Sequence, residues 1–330
     1  MNRFTYLVIL LAAFGLALVS CSKDSTGNDS EESKTYSFTT ANVKTAGTQY
    51  FRFSSNTANS NKSGGYDLAF GVKAITEEVG APGSCVYFTV NTYPVFSTGP
   101  GVTMARVDAA SLNDVTDVPA DNAFKADDTL RQALIGKDWF DAQNGYKVRP
   151  DVWVIKTCAG NYGLVQFRRY DFDFTTMHIV NIVFDYKYNP DGSTDFSAAE
   201  LDSFQTGNGY EATRYFSFAD GSLQMAYGTW ELQVEGSAVW LGPNVTAYKI
   251  ENTNINDVTT IQTTGFSGDQ VPSYVSAGWY DTDENHTVIP KDYVYVVKTT
   301  EGKYAALKVT NYYDEQGNSG AFTFEWKFLK

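Results

Sequence analysis

Two histidines in 330 residues, His178 and His286, leave little material for catalysis or for a metal centre. Neither stands near a Gly-x-Ser-x-Gly elbow, and Gly265-Phe266-Ser267-Gly268 lacks that spacing. The chain contains no His-Glu-x-x-His and no Gly-x-x-x-x-Gly-Lys, the signatures of a zinc peptidase helix and a phosphate-cradling loop. Its 38 acidic residues are too many for sequence to single out a glycosidase pair. No enzyme is expected. Basic residues are also scarce, 25 against those 38, giving a net charge of −13. Phosphate backbones are held by clustered Lys and Arg, so no nucleic-acid partner is expected. The negative charge reads as a solubility device.

Long Leu/Ala/Glu/Lys runs are nearly absent after residue 20, whereas Tyr and Phe each number 22. Flat and β-branched side chains suit half-buried pleated surfaces, so the expected class is all-β with a minor α share. The one helical expectation is a short helix over Asp127 to Ile135, outside the sheet.

Residues 1–20 read as a leader: Arg3 gives a positive start, and Tyr6 to Leu18 is apolar but short for a membrane span. The run ends Leu18-Val19-Ser20-Cys21, which resembles a bacterial lipobox with Cys21 lipidated. An ordinary secretory signal with a chance cysteine is the alternative. Residues 21–35 are Ser/Asp/Glu/Gly-rich and read as a flexible tether. Export puts Cys85 and Cys158 where disulfides persist, so they are candidates for a bridge or for burial as small apolar residues.

What the chain has in abundance is internal repetition. Tyr50-Phe51-Arg52-Phe53 returns as Tyr215-Phe216-Ser217-Phe218, Tyr66-Asp67-Leu68 as Trp230-Glu231-Leu232, and Trp139-Phe140 as Trp279-Tyr280. Val115-Thr116-Asp117-Val118 returns as Val258-Thr259-Thr260-Ile261. The strand from Val152 to Thr157, the turn Ala159-Gly160 and the strand from Tyr162 reappear at Tyr293, Glu301-Gly302 and Tyr304. Blocks recurring in one order predict two tandem antiparallel β-rich domains, 36–190 and 209–330, joined by a linker over 191–208.

These blocks, together with Ala277-Gly278-Trp279, Glu301-Gly302-Lys303-Tyr304 and the lipobox, resemble the HmuY family, apparently as a tandem duplication. The resemblance implies a lipoprotein of Bacteroidetes that captures haem, or another tetrapyrrole, at the cell surface for a TonB-dependent outer-membrane importer. Its partners would be the outer-membrane lipid through Cys21, that receptor, and haem or haemoproteins. The family's founding member grips iron between two histidines, and some relatives use methionines.

His286 lies seven residues after Trp279 and is the best iron ligand. The segment expected to hold the other family histidine, 269–276, contains neither His nor Met. Met225, His178 and Met177 are weaker ligand candidates, and loop or core residues of no special role are the alternative for each. Trp279 and Tyr280 are candidate pocket walls. Asp281, Asp283 and Asn285 space oxygen ligands like the opening of a calcium loop, although His286 stands where an EF-hand needs Gly. A carbohydrate-binding or adhesive β-module is the second functional expectation, favoured if tryptophans such as Trp240 are exposed. A purely structural surface protein is the third.

Overall fold

The computed structural model describes residues 34–330 except Gly80 and Pro82, and omits the side chain of Asn91. The leader, Cys21 and most of the tether therefore lie outside the described residues.

The described chain divides into four quarters. The first holds β1 (Tyr36–Thr39), β2 (Gln49–Arg52), β3 (Thr57–Asn59), β4 (Leu68–Glu78), β5 (Val86–Thr98) and β6 (Thr103–Asp108). The second holds β7 (Phe140–Asp141), β8 (Lys147–Val148), β9 (Val152–Lys156), β10 (Tyr162–Asp173) and β11 (His178–Asn189). The third runs through β12 (Asp202–Gln205), β13 (Arg214–Ser217), β14 (Ser222–Gln224), β15 (Gly228–Thr229), β16 (Leu232–Glu235), β17 (Ala238–Leu241) and β18 (Thr246–Ile250). The last holds β19 (Tyr280–Thr282), β20 (Val288–Pro290), β21 (Tyr293–Lys298), β22 (Tyr304–Tyr313) and β23 (Ser319–Phe328).

The fold is all-β, as expected. Its helical share among the described residues is three 3-10 turns of three residues each, Leu112–Asp114, Asp121–Ala123 and Ile255–Asp257. Four sheets make two sandwiches. In the first, β1-β23-β22-β21-β6 faces β15-β5-β4-β2-β3. In the second, β12-β11-β10-β9-β18 faces β14-β13-β16-β17. The outer faces of β21 and β9 are covered too, by Leu112 and Val115 in one lobe and by Ile255 and Val258 in the other. Burial on both faces explains why these two strands read as unbroken apolar runs rather than alternations.

Strand pairing overturns the expected division of the chain. The first-quarter strands β1 and β6 flank the C-terminal hairpin, with Phe38 opposite Phe324 and Ala105 opposite Val296. The third-quarter strands β12 and β18 flank the earlier hairpin in the same places, with Phe204 opposite Phe184 and Ala247 opposite Ile155. Each core is thus shared between copies. Phe51 meets Phe324 edge-on at 5.0 Å, and its twin Phe216 meets Phe184 at 5.1 Å. The ranges 36–190 and 209–330 are not self-contained cores, and 191–208 is no simple linker because β12 is an edge strand within it.

The chain changes lobes through two extended segments that pair with each other. Asp128 and Ser273 exchange backbone hydrogen bonds of 3.0 and 2.7 Å, and Gln132 and Gln270 exchange a second set of 2.8 and 2.9 Å. The helix expected over Asp127 to Ile135 does not form, because its backbone groups are committed to this other segment. A half-buried carboxylate clamps each end. Asp127 accepts from the N–H groups of Thr98 and Val275, both at 2.6 Å, and Asp269 from those of Leu241 and Leu134, both at 2.7 Å.

Close backbone approaches repeat in the same way. A Cβ on Gly99 would fall 2.1 Å from the Tyr66 carbonyl oxygen, and one on its twin Gly242 would fall 2.9 Å from that of Trp230. Only glycine fits either site without movement.

Inside the lobes, Asp67 accepts the Phe53 N–H and Glu231 accepts the Phe218 N–H, each at 2.9 Å. Burial pushes the Glu231 carboxyl from its ordinary 4.5 up to about 7. Between those pH values the folded chain holds a proton that the unfolded chain has released. This group's stabilising contribution is therefore present below pH 4.5 and is lost as pH rises to about 7. The loss is about 3 kcal/mol at 1.36 kcal/mol per pH unit. Glu231→Gln keeps an acceptor for Phe218 and is expected to flatten that dependence. Urea midpoints at pH 5 and pH 8 check it: the variant should gain on the wild type by about 2 kcal/mol at the higher pH. An equal difference at both pH values would refute the assignment.

Candidate functional site

The candidate ligands are distributed over both lobes. His286 occupies the turn between β19 and β20 and is exposed, with a left-handed φ of +59°. Its twin is Tyr146, between β7 and β8 with φ +57°, so the duplication put a histidine on one turn and a tyrosine on the other. The His286 N–H donates to the Asp283 carbonyl at 3.0 Å. The Asp283 carboxylate accepts from the N–H groups of Thr287 at 2.7 Å and Asn285 at 2.9 Å, and the Thr287 bond is the main cause of its lowered pKa.

Asp281 is engaged elsewhere, by the Lys291 ammonium at 2.9 Å. The calcium-loop expectation for Asp281, Asp283 and Asn285 is therefore corrected. These groups close a β-turn and an ion pair, and their carboxylates do not converge on a common point. Among the described residues, only Glu78, Cys85 and Cys158 bring three ligand-type atoms together. Both of those sulfurs are spent in a Cys85–Cys158 disulfide with Cα atoms 5.7 Å apart.

Trp279 is no pocket wall. It is 1% exposed, packs against Phe96, Tyr312 and Phe322, and donates its Nε1–H to the Pro94 carbonyl at 2.9 Å. An indole with a satisfied N–H and apolar neighbours on its ring is a core residue. Tyr280 is half-buried against Tyr93, 5.6 Å away, and burial raises its phenol pKa. It remains at the root of the hairpin carrying His286.

Met225 is 81% exposed on the stretch between β14 and β15. Close in sequence, the exposed Tyr227 meets Phe88 edge-on at 5.9 Å. Phe88 belongs to the outer half of the β4–β5 hairpin, an arm without counterpart in the second lobe, where β16 and β17 have four residues each. The arm leaves the first lobe, pairs with β15 in the sequence after Met225, and is tied to the second lobe by the disulfide. The Tyr87 hydroxyl adds a bond to the Pro243 carbonyl at 2.6 Å. This exposed thioether, two residues before an exposed tyrosine, is the feature that sequence reading undervalued. The signal available was the length difference between the two hairpins.

His178 and Met177 lie at the tip of the β10–β11 hairpin. The His178 ring stacks on Tyr210, centroids 3.6 Å apart, while Met177 is 65% exposed. None of these positions shares a sheet with His286.

The model of the HmuY protein family matches residues 44–326, well over half of the chain. The chain belongs to the HmuY family. That match spans both copies of the repeated blocks.

Solved structures similar to it include an apo HmuY analog from Tannerella forsythia, at 10% identity and a TM-score of 0.34, covering 90% of this chain and 96% of that one. A candidate lipoprotein from Bacteroides fragilis matches at 10% identity and a TM-score of 0.32, covering 92% and 95%. Apo PinO from Porphyromonas gingivitis matches at 10% identity and a TM-score of 0.32, covering 90% and 98%. Among curated proteins nothing matches. The chain is an HmuY-like binding protein. No helix among the described residues is long and apolar enough to cross a membrane.

Proposed function

We propose that this protein captures haem, or another tetrapyrrole, at the outer-membrane surface and passes it to a TonB-dependent importer, anchored by lipid on Cys21. Family membership over residues 44–326 is the observation that carries this reading. Haem iron takes a neutral imidazole or a thioether, and its macrocycle takes apolar and aromatic walls. His286 offers an exposed imidazole on a hydrogen-bonded turn, and Met225 offers an exposed thioether two residues before Tyr227, whose ring meets Phe88. His178 is the weaker imidazole because its ring already rests on Tyr210.

Titrating the purified chain with haemin tests the reading. A saturable Soret shift is expected, with at least tenfold weaker binding in His286→Ala and a changed Soret position in Met225→Ala if its sulfur ligates. Absence of any shift in the wild type would end the proposal, and a shift untouched by either variant would remove these two residues from it.

Sugar stacking on tryptophan finds no platform. Five of the six tryptophans are buried, and Trp240 is covered by the Arg131 guanidinium, 3.9 Å from its ring.

A further inference from the structure

The connection from β11 to β12 is longer than its geometry requires. Asp202 lies opposite Tyr186 in the paired strands, yet the chain spends residues 190–201 returning from Asn189. Hairpin connections need about two to five residues, and longer ones in compact domains are often functional. This one is also firmly placed. Phe196 is fully buried in the outer core of the second lobe, its N–H donates to the Thr259 carbonyl at 2.7 Å, and the Ile261 N–H donates to the Thr194 carbonyl at 3.1 Å. The buried Asn189 amide donates to the carbonyls of Ser193 and Asp195. Between loop and sheet lies an open cavity of about 840 Å³.

The lining is amphipathic. Asp191, Asp195, Glu200 and Asp202 supply carboxylates around it, Asp202 already accepting from the Tyr186 hydroxyl at 3.1 Å, and no Lys or Arg lines it. The Tyr188 hydroxyl accepts from the Asn161 amide, and the Ser193 hydroxyl accepts from the Asp195 N–H, so both O–H groups are left to donate. Ala198, Ala199 and Leu201 add a small apolar ledge. Carboxylates without a cationic partner repel phosphates, uronates and haem propionates. A bare cation would use the acceptors and leave the hydroxyl donors and the ledge idle.

We infer that the cavity between the 190–201 loop and β11 binds a neutral saccharide, whose hydroxyl rim needs both donors and acceptors and whose C–H face needs an apolar surface. The site is separate from the haem candidates and does not depend on them.

The purified wild-type chain and two variants, Asp195→Ala/Glu200→Ala and Tyr188→Phe, are applied to an array of neutral and sialylated oligosaccharides. Retention on neutral glycans is expected, reduced at least tenfold in the carboxylate variant and several-fold in Tyr188→Phe, with circular dichroism and the haemin titration unchanged in both. Retention on no neutral glycan, retention confined to sialylated glycans, or retention equal in all three proteins overturns the proposal. So does a melting shift with calcium chloride alone that the carboxylate variant abolishes, which would make the cavity a cation site.

Discussion

Replacing Cys85 and Cys158 together by alanine, or reducing their bond, is expected to cost the chain about 4 kcal/mol of stability. The bond joins positions 73 residues apart, and constraining a loop of that length removes much freedom from the unfolded chain. In the folded state the cross-link fastens the β4–β5 arm to the second lobe. What remains there without it is the pairing of β5 with β15, the Phe88 ring against Tyr227, the Tyr87 hydroxyl on Pro243, the Tyr87 ring against Trp230 at 5.0 Å, and Glu78 accepting from the Asn244 amide. Urea denaturation with and without dithiothreitol measures the global term. Hydrogen exchange should show the added opening confined to the arm, Ile75 to Val90, while the hairpin strands β22 and β23 keep their protection. A global loss below about 1 kcal/mol, or protection lost evenly through both lobes, would contradict this role.

The strands were legible in the sequence because their burial is a local pattern. β2 alternates buried and half-buried positions, and Phe51 could be placed in a core from its neighbours alone. The copied blocks were legible too, and with them the family. Which copy pairs with which was not. Val294 to Val297 and Val152 to Ile155 present the same apolar faces, so either could serve either half-sandwich, and periodicity reports what a strand buries rather than against what.

The decisive information sat in polar residues. Asp127 and Asp269 are 142 positions apart (269 − 127), the same offset as Lys156 and Lys298. Asp128 and Gln132, at helical spacing, turned instead to Ser273 and Gln270. Trp279 shows the opposite error. A repeated aromatic suggests a ligand wall, but repetition is also what a core demands, and its twin Trp139 is buried with its own N–H on the Ser237 carbonyl. The ligand candidates were the least legible, because His286 and Met225 are exposed residues whose neighbours depend on the exchange of halves.

Asp269→Ala is expected to destabilise the chain by about 3 kcal/mol, and Asp127→Ala by a similar amount. Each carboxylate ties its own crossing segment to the other segment and to a strand end of one lobe: Asp269 to Leu134 and Leu241 at the second, Asp127 to Val275 and Thr98 at the first. Alanine leaves both donors without an acceptor in a partly desolvated crossing, and hydrogen bonds to a charged group are worth more than neutral ones. Asparagine offers one oxygen in place of two and should recover about half of the loss. The twofold likeness of the clamps requires the two alanine variants to match within the error of urea denaturation. Because the crossing segments also exchange the Asp128–Ser273 and Gln132–Gln270 bonds, the double variant should lose less than the sum of the singles once either clamp has opened the shared ladder. Should Asp269→Ala cost under 1 kcal/mol while Asp127→Ala costs several, the crossings are not equivalent, and the lobes are held together by the disulfide-tied arm instead.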